Sequence, residues 1–138
     1  MAVFFLLFST TVSADELPDF NQVKSAVLAG KSIRIAVHFP QCSGQANLAP
    51  IPVQNVGTFT PNEVAIDKSG NIAASLTHFT LNNPDFLDKP VYEFVTYKIL
   101  DANTVKLTIQ VLDATNYQPL TSKFYFDCEL RKGAKIYS

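Results

Sequence analysis

The sequence predicts a mainly β (α+β) domain: an antiparallel meander of about eight strands, curled into a barrel-like sheet, with one N-terminal helix packed against it. Three observations carry that expectation. Runs with a two-residue apolar period recur along the chain, each with a core side and a solvent side. Turn signals separate them at short intervals, so that neighbours in sequence pair antiparallel. The only cysteines of the 138-residue chain, Cys42 and Cys128, follow the first such run and sit in the last long one. A bridge between them would fasten the first strand to the penultimate one and bring the meander round on itself.

The chain opens on Met1–Ala14, MAVFFLLFSTTVSA, which predicts a signal peptide. Its apolar run is short of the about 20 residues that span a bilayer. Val12-Ser13-Ala14 meets the small-residue rule for cleavage. No Lys or Arg precedes the run, so the reading rests on the apolar core and the small residues. Residues 15–138 are then expected to be a single domain, exported to the periplasm or secreted, with no integral membrane segment left.

In Leu17–Lys31, Asp19 is placed as an N-cap with Gln22 completing a capping box, and Phe20, Val23 and Val27 form an apolar stripe. Gly30 is placed to end the helix in the left-handed region. Ser32–Cys42, SIRIAVHFPQC, sets Ile33, Ile35, Val37 and Phe39 on one side and Ser32, Arg34, Ala36 and His38 on the other, until Pro40 ends the run. Ser43–Pro52 reads as a loop. Strands are expected at Val53–Thr60, Glu63–Asp67, Ile72–Leu81, Val91–Leu100, Val105–Leu112, Leu120–Arg131 and Ala134–Tyr137. Lys68-Ser69-Gly70-Asn71 and Asp101-Ala102-Asn103-Thr104 read as tight hairpins.

All 11 basic and 12 acidic residues lie beyond Ala14, for a net charge of −1. A near-neutral domain without a basic cluster carries no electrostatic footprint for nucleic acid. The chain has no G-x-S-x-G, no H-E-x-x-H and no phosphate-cradling glycine loop. A metal site would need His38, His78 and an acid such as Glu63, Asp67 or Glu93 to converge, and the spacing does not bring them together. No metal or cofactor is therefore expected. Cys42 follows His38 by four residues, but across Pro40 an extended chain does not deliver a base to the sulfur, and pairing with Cys128 accounts for both thiols. Glu93 lies among Val91, Val95 and Tyr97 on one face of its strand, where a carboxylate is a candidate site group. Glu93, His38 and His78 are the candidate ligand or site residues, and none is assigned a catalytic role. The aromatics are expected chiefly to fill the core.

The helix DFNQVKSAVLAGK, the strand IRIAVHFPQC, the central GTFTPNEVAIDKSGNIAASLTHF and the closing FYFDCELRKGAKIYS together resemble the VirK family of small exported bacterial proteins. The resemblance implies a virulence or host-interaction setting in a Gram-negative bacterium, and carries over no catalytic residue. The reading is an exported, disulfide-stabilised, non-enzymatic binding protein whose partner is a protein or a small apolar ligand. The alternatives are a lipocalin-like carrier of that ligand, and a hydrolase or metal enzyme whose site assembles only in three dimensions.

Overall fold

Among the described residues, 13–44 and 56–138 of a computed structural model, the chain forms one helix and nine strands. The helix is α1 (Phe20–Leu28). The strands are β1 (Arg34–His38), β2 (Ser43–Gly44), β3 (Val56–Phe59), β4 (Glu63–Ile66), β5 (Ile72–Thr80), β6 (Val91–Leu100), β7 (Thr104–Asp113), β8 (Phe124–Glu129) and β9 (Ala134–Tyr137). They make two antiparallel sheets, one of three strands in the order β3-β1-β9 and one of six in the order β2-β8-β7-β6-β5-β4.

The mainly β class with one helix is as expected, but the meander does not close into a barrel. Strands β4 to β8 do pair in sequence order, whereas β1 pairs with β3 and β9 in the other sheet. Pro40 is the reason. It sits in a single 3-10 turn, Phe39–Gln41, that turns the chain out of the first sheet. Ser43 and Gly44 then pair with Asp127 and Phe126 on the edge of the second. Cys42 and Cys128 are bonded across this corner with Cα atoms 4.4 Å apart. The bridge therefore staples sheet to sheet rather than closing one sheet on itself. Among the described residues no barrel encloses a lipocalin-like interior, and the facing sides are filled by Ile33, Ile35, Val37, Ile72, Tyr97, Ile99, Leu107 and Ile136.

The helix follows its sequence signals closely. Asp19 accepts from the Gln22 backbone N–H at 2.9 Å. At the other end Gly30 takes φ 72°, and the Lys31 and Gly30 N–H groups donate to the Ala26 and Val27 carbonyls, a Schellman ending. Phe20, Val23 and Ala26 are buried, with Val27 only half-buried at the rim. A second cap comes from far along the chain: the Asn103 carboxamide oxygen accepts from the Phe20 N–H at 2.8 Å. Asn103 occupies the left-handed region (φ 57°) in the β6–β7 turn, a position a short polar side chain tolerates. The helix N-terminus is thus clamped to the large sheet. Leu120–Arg131 gives a shorter strand than its alternation predicts, because Leu120 and Thr121 both bond to Val111 before β8 begins. Positions 45–55, including parts of the expected loop and of the strand Val53–Thr60, lie outside the described residues.

Candidate binding face

One face of the six-stranded sheet packs on the core, and the other has no second layer among the described residues. Strand register sorts the outward side chains into rows across the sheet. The first is Phe79, Tyr92 and Leu112, and the second Thr77, Phe94 and Gln110. The third is Glu63, Ser75, Thr96, Thr108 and Tyr125, and the fourth Ala65, Ala73, Lys98, Lys106, Asp127 and Ser43. The face therefore grades from aromatic at one end to charged at the other. Small side chains in the last two rows lower the floor, and an open trough of about 930 Å³ runs across all six strands there.

In the trough, Lys98 and Lys106 stand directly opposite on neighbouring strands, an arrangement that repels. Each ammonium is drawn aside by a carboxylate: Lys98 lies 3.4 Å from Asp67, and Lys106 lies 3.0 Å from Asp127. Asp67 also accepts from the Ser69 and Asn71 N–H groups in the β4–β5 turn. Burial pushes the Asp67 carboxyl up, but the Asn71 and Ser69 N–H groups with Lys98 outweigh it and hold it below its ordinary value.

At the other end Tyr117 stacks on Tyr92, centroids 5.8 Å apart and planes within 6°. Phe79 and Phe94 meet Tyr92 edge-on. Tyr117 has φ 60°, an uncommon and strained conformation for a bulky residue. It is held there by the loop from Asp113 to Gln118, which is built around the buried Asp113. Asp113 pairs with Lys89 at 2.8 Å and accepts from the Thr115 N–H and hydroxyl. Lys89 first, then Thr115, holds its carboxyl well below the usual carboxylate range. Phe79, Tyr117 and Tyr125 are 52%, 61% and 43% exposed. The expectation that the aromatics chiefly fill the core fails for these three. The alternation of Phe124, Phe126 and Cys128 with Tyr125 and Asp127 puts Tyr125 on the outward side, and the positive φ that presents Tyr117 has no signal in the sequence.

Of the three candidate residues read from the sequence, the structure joins two. His78 and Glu93 are directly opposite on β5 and β6, on the core-facing side near its open end. His78 Nδ1 lies 3.1 Å from Glu93 Oε2, and buried Asn83 donates to Glu93 Oε1 at 2.8 Å. A carboxylate so placed orients an imidazole and leaves its Nε2 to exchange a proton. No described serine, threonine or cysteine is hydrogen-bonded to His78. His38 lies in the other sheet on β1, opposite Val56, so the histidines do not converge. Among the described residues no three His, Cys, Asp or Glu side chains are placed to hold a metal ion. Disulfide-bonded Cys42 Sγ lies 3.4 Å from the His38 carbonyl and 3.6 Å from that of Gly133; without a proton these are packing contacts. Gly133 is buried against this bridge, where a Cβ would come within 2.9 Å of Cys42 Sγ. The Tyr97 hydroxyl is buried with no partner among the described residues, and burial pushes its pKa up.

The chain is similar to an uncharacterized protein, y4wH, of Sinorhizobium fredii (strain NBRC 101917 / NGR234), at 23% identity over 140 residues that cover 99% of this chain and 94% of that one. Its fold matches the crystal structure of lpg1832, a VirK family protein from Legionella pneumophila. The TM-score is 0.78 at 24% identity, over 89% of this chain and 98% of that one. The family model described as VirK protein matches residues 16–117, the stretch that runs from before α1 through β7. The chain belongs to the VirK family.

Proposed function

We propose that this chain is an exported, non-enzymatic binding protein of virulence-associated type, and that its ligand docks on the outward face of the six-stranded sheet. The observation that carries the reading is the set of uncovered aromatics, Phe79, Tyr117 and Tyr125, on the same outward side of the sheet as a charged trough. Exposed apolar groups gathered into a patch mark interaction sites, and tyrosine is enriched at the centres of interfaces. Export is supported by the disulfide, a bond kept in oxidising compartments. It is also supported by the pairing of Asp15, which exchanges both backbone hydrogen bonds with Ser138 directly after the expected cleavage point, the first such pairing among the described residues. Intact-mass measurement of the exported protein should give a chain starting at Asp15, and retention of Met1 would end the export reading.

The binding face is tested by retention of the purified domain on immobilised Gram-negative envelope and host-membrane fractions. Tyr117→Ala and Tyr125→Ala should each weaken retention, while Leu28→Ala, at a 72% exposed position on α1, should leave it unchanged. Equal retention of all four proteins would overturn the reading.

A further inference from the structure

Resting on that reading of the outward face, we infer that its ligand is an uncharged oligosaccharide, with hydroxyls seated in the trough and a ring stacked on Tyr125. Three observations select this chemistry. First, the backbone groups of the floor are spent in the ladders of a continuous six-stranded sheet, so an extended peptide lying on it gains no main-chain pairing. Second, the trough's charges are matched in pairs, Lys98 with Asp67 and Lys106 with Asp127. Glu63 adds one more negative charge at the edge, so no positive field draws in a phosphate or carboxylate. Third, the floor carries donors and acceptors side by side, the Lys98 and Lys106 ammonium groups with their carboxylates in one row and the Thr96 and Thr108 hydroxyls in the row beside it. A sugar hydroxyl both donates and accepts, and vicinal hydroxyls match such a set in a way that an acyl chain or a simple ion does not.

The geometry extends the same preference. Lys98 and Lys106 oppose each other at some cost to the free protein, and hydroxyl oxygens placed between them accept from both ammonium groups. Tyr125 stands beside Thr108 at the trough wall, half-exposed, an aromatic ring of the kind that receives the C–H side of a sugar. From the lysine row to the Tyr92 row is three two-residue steps, roughly 20 Å at about 3.3 Å per residue. That length, which leaves the trough along β6, takes several linked rings ending against the Tyr92–Tyr117 stack, and the trough itself is near the top of the roughly 300–1,000 Å³ range of ligand sites.

A printed array of defined neutral and acidic oligosaccharides is the direct test, followed by calorimetry with the best-retained neutral glycan. Wild type should bind a neutral oligosaccharide. Tyr125→Ala should weaken it by about tenfold, and Thr108→Arg, which fills the floor, should abolish it while unfolding at the wild-type temperature. Preference for acidic glycans, or binding that both variants leave intact, would overturn the inference. Envelope fractions separate this failure from failure of the binding face itself. Periodate, which cleaves vicinal diols, should remove wild-type retention and protease should not. If protease removes retention and periodate does not, the ligand is a protein and the glycan assignment falls while the face stands. If wild type is not retained on either fraction and binds nothing on the array, both fall.

Discussion

The two faces of the six-stranded sheet share every strand and differ only in the parity of their residues. On β6, Val95, Tyr97 and Ile99 are buried, while Thr96 and Lys98 between them are exposed. The inward set is covered by α1 and the three-stranded sheet, and the outward set has no second layer among the described residues. The inner face is mostly aliphatic and is closed around Ile72, Val95, Ile99 and Val105, with the polar pair His78–Glu93 toward one end. The outer face is graded, with aromatics at one end and ion pairs at the other, and that grading rather than any catalytic motif distinguishes the domain. A covered face needs only shape and hydrophobicity to be stable, whereas the outer face carries exposed rings and a tyrosine at positive φ that such packing does not require.

Substitution on one strand breaks this comparison most sharply. Ile99→Ala should cost about 2–5 kcal/mol, while Thr96→Ala, on the outward side of the same strand, should stay within roughly 0.5 kcal/mol. Denaturant unfolding of both variants measures the contrast, and similar losses would mean that the outer face is covered too. Next in size is the staple between the sheets. Reduction of Cys42–Cys128, which encloses a separation of 86 residues, should lower stability by about 2–4 kcal/mol. Thiol titration of the denatured, unreduced protein should find no free thiol.

A smaller effect is expected where the helix is tied to the sheet. Asn103→Gly keeps the left-handed turn but removes the oxygen that caps Phe20, and should cost about 1 kcal/mol. Amide exchange should then rise in the first turn of α1 and not in β5.

The least disruptive probe is acid, which acts on the outer face at Asp67 and on the loop that presents Tyr117 at the buried Asp113. Asp113 and Asp67 both titrate lower in the folded chain than the ordinary value of 3.8. The stability they contribute is complete above that value and is lost as pH falls through their folded values. Thermal midpoints followed downward from about pH 5 should therefore fall below about pH 4. Lys89→Met removes the first cause of the Asp113 shift and should flatten that fall; an unchanged acid profile would separate Asp113 from the loop that presents Tyr117.

How far the sequence reached follows from which forces are local. The helix with its cap at Asp19 and its ending at Gly30, the hairpins at Asp67–Asn71 and Leu100–Thr104, and the alternation of β6, β7 and β8 were all legible, because caps, turns and pleats act within a few residues. The pairing of Cys42 with Cys128 was legible because only two cysteines exist. Three things were decided only in the tertiary structure. Membership of β1 in a separate sheet depends on which edge the chain meets after Pro40, and alternation carries no record of a strand's neighbour. The clamp from Asn103 to Phe20 joins residues 83 apart, and the meeting of His78 with Glu93 depends on the register across a loop. The graded outer face, from the Tyr92–Tyr117 stack to the Lys98–Lys106 trough, exists only once five strand pairings set those rows side by side. Local pattern fixes which way each side chain points, and long-range register decides what it points beside.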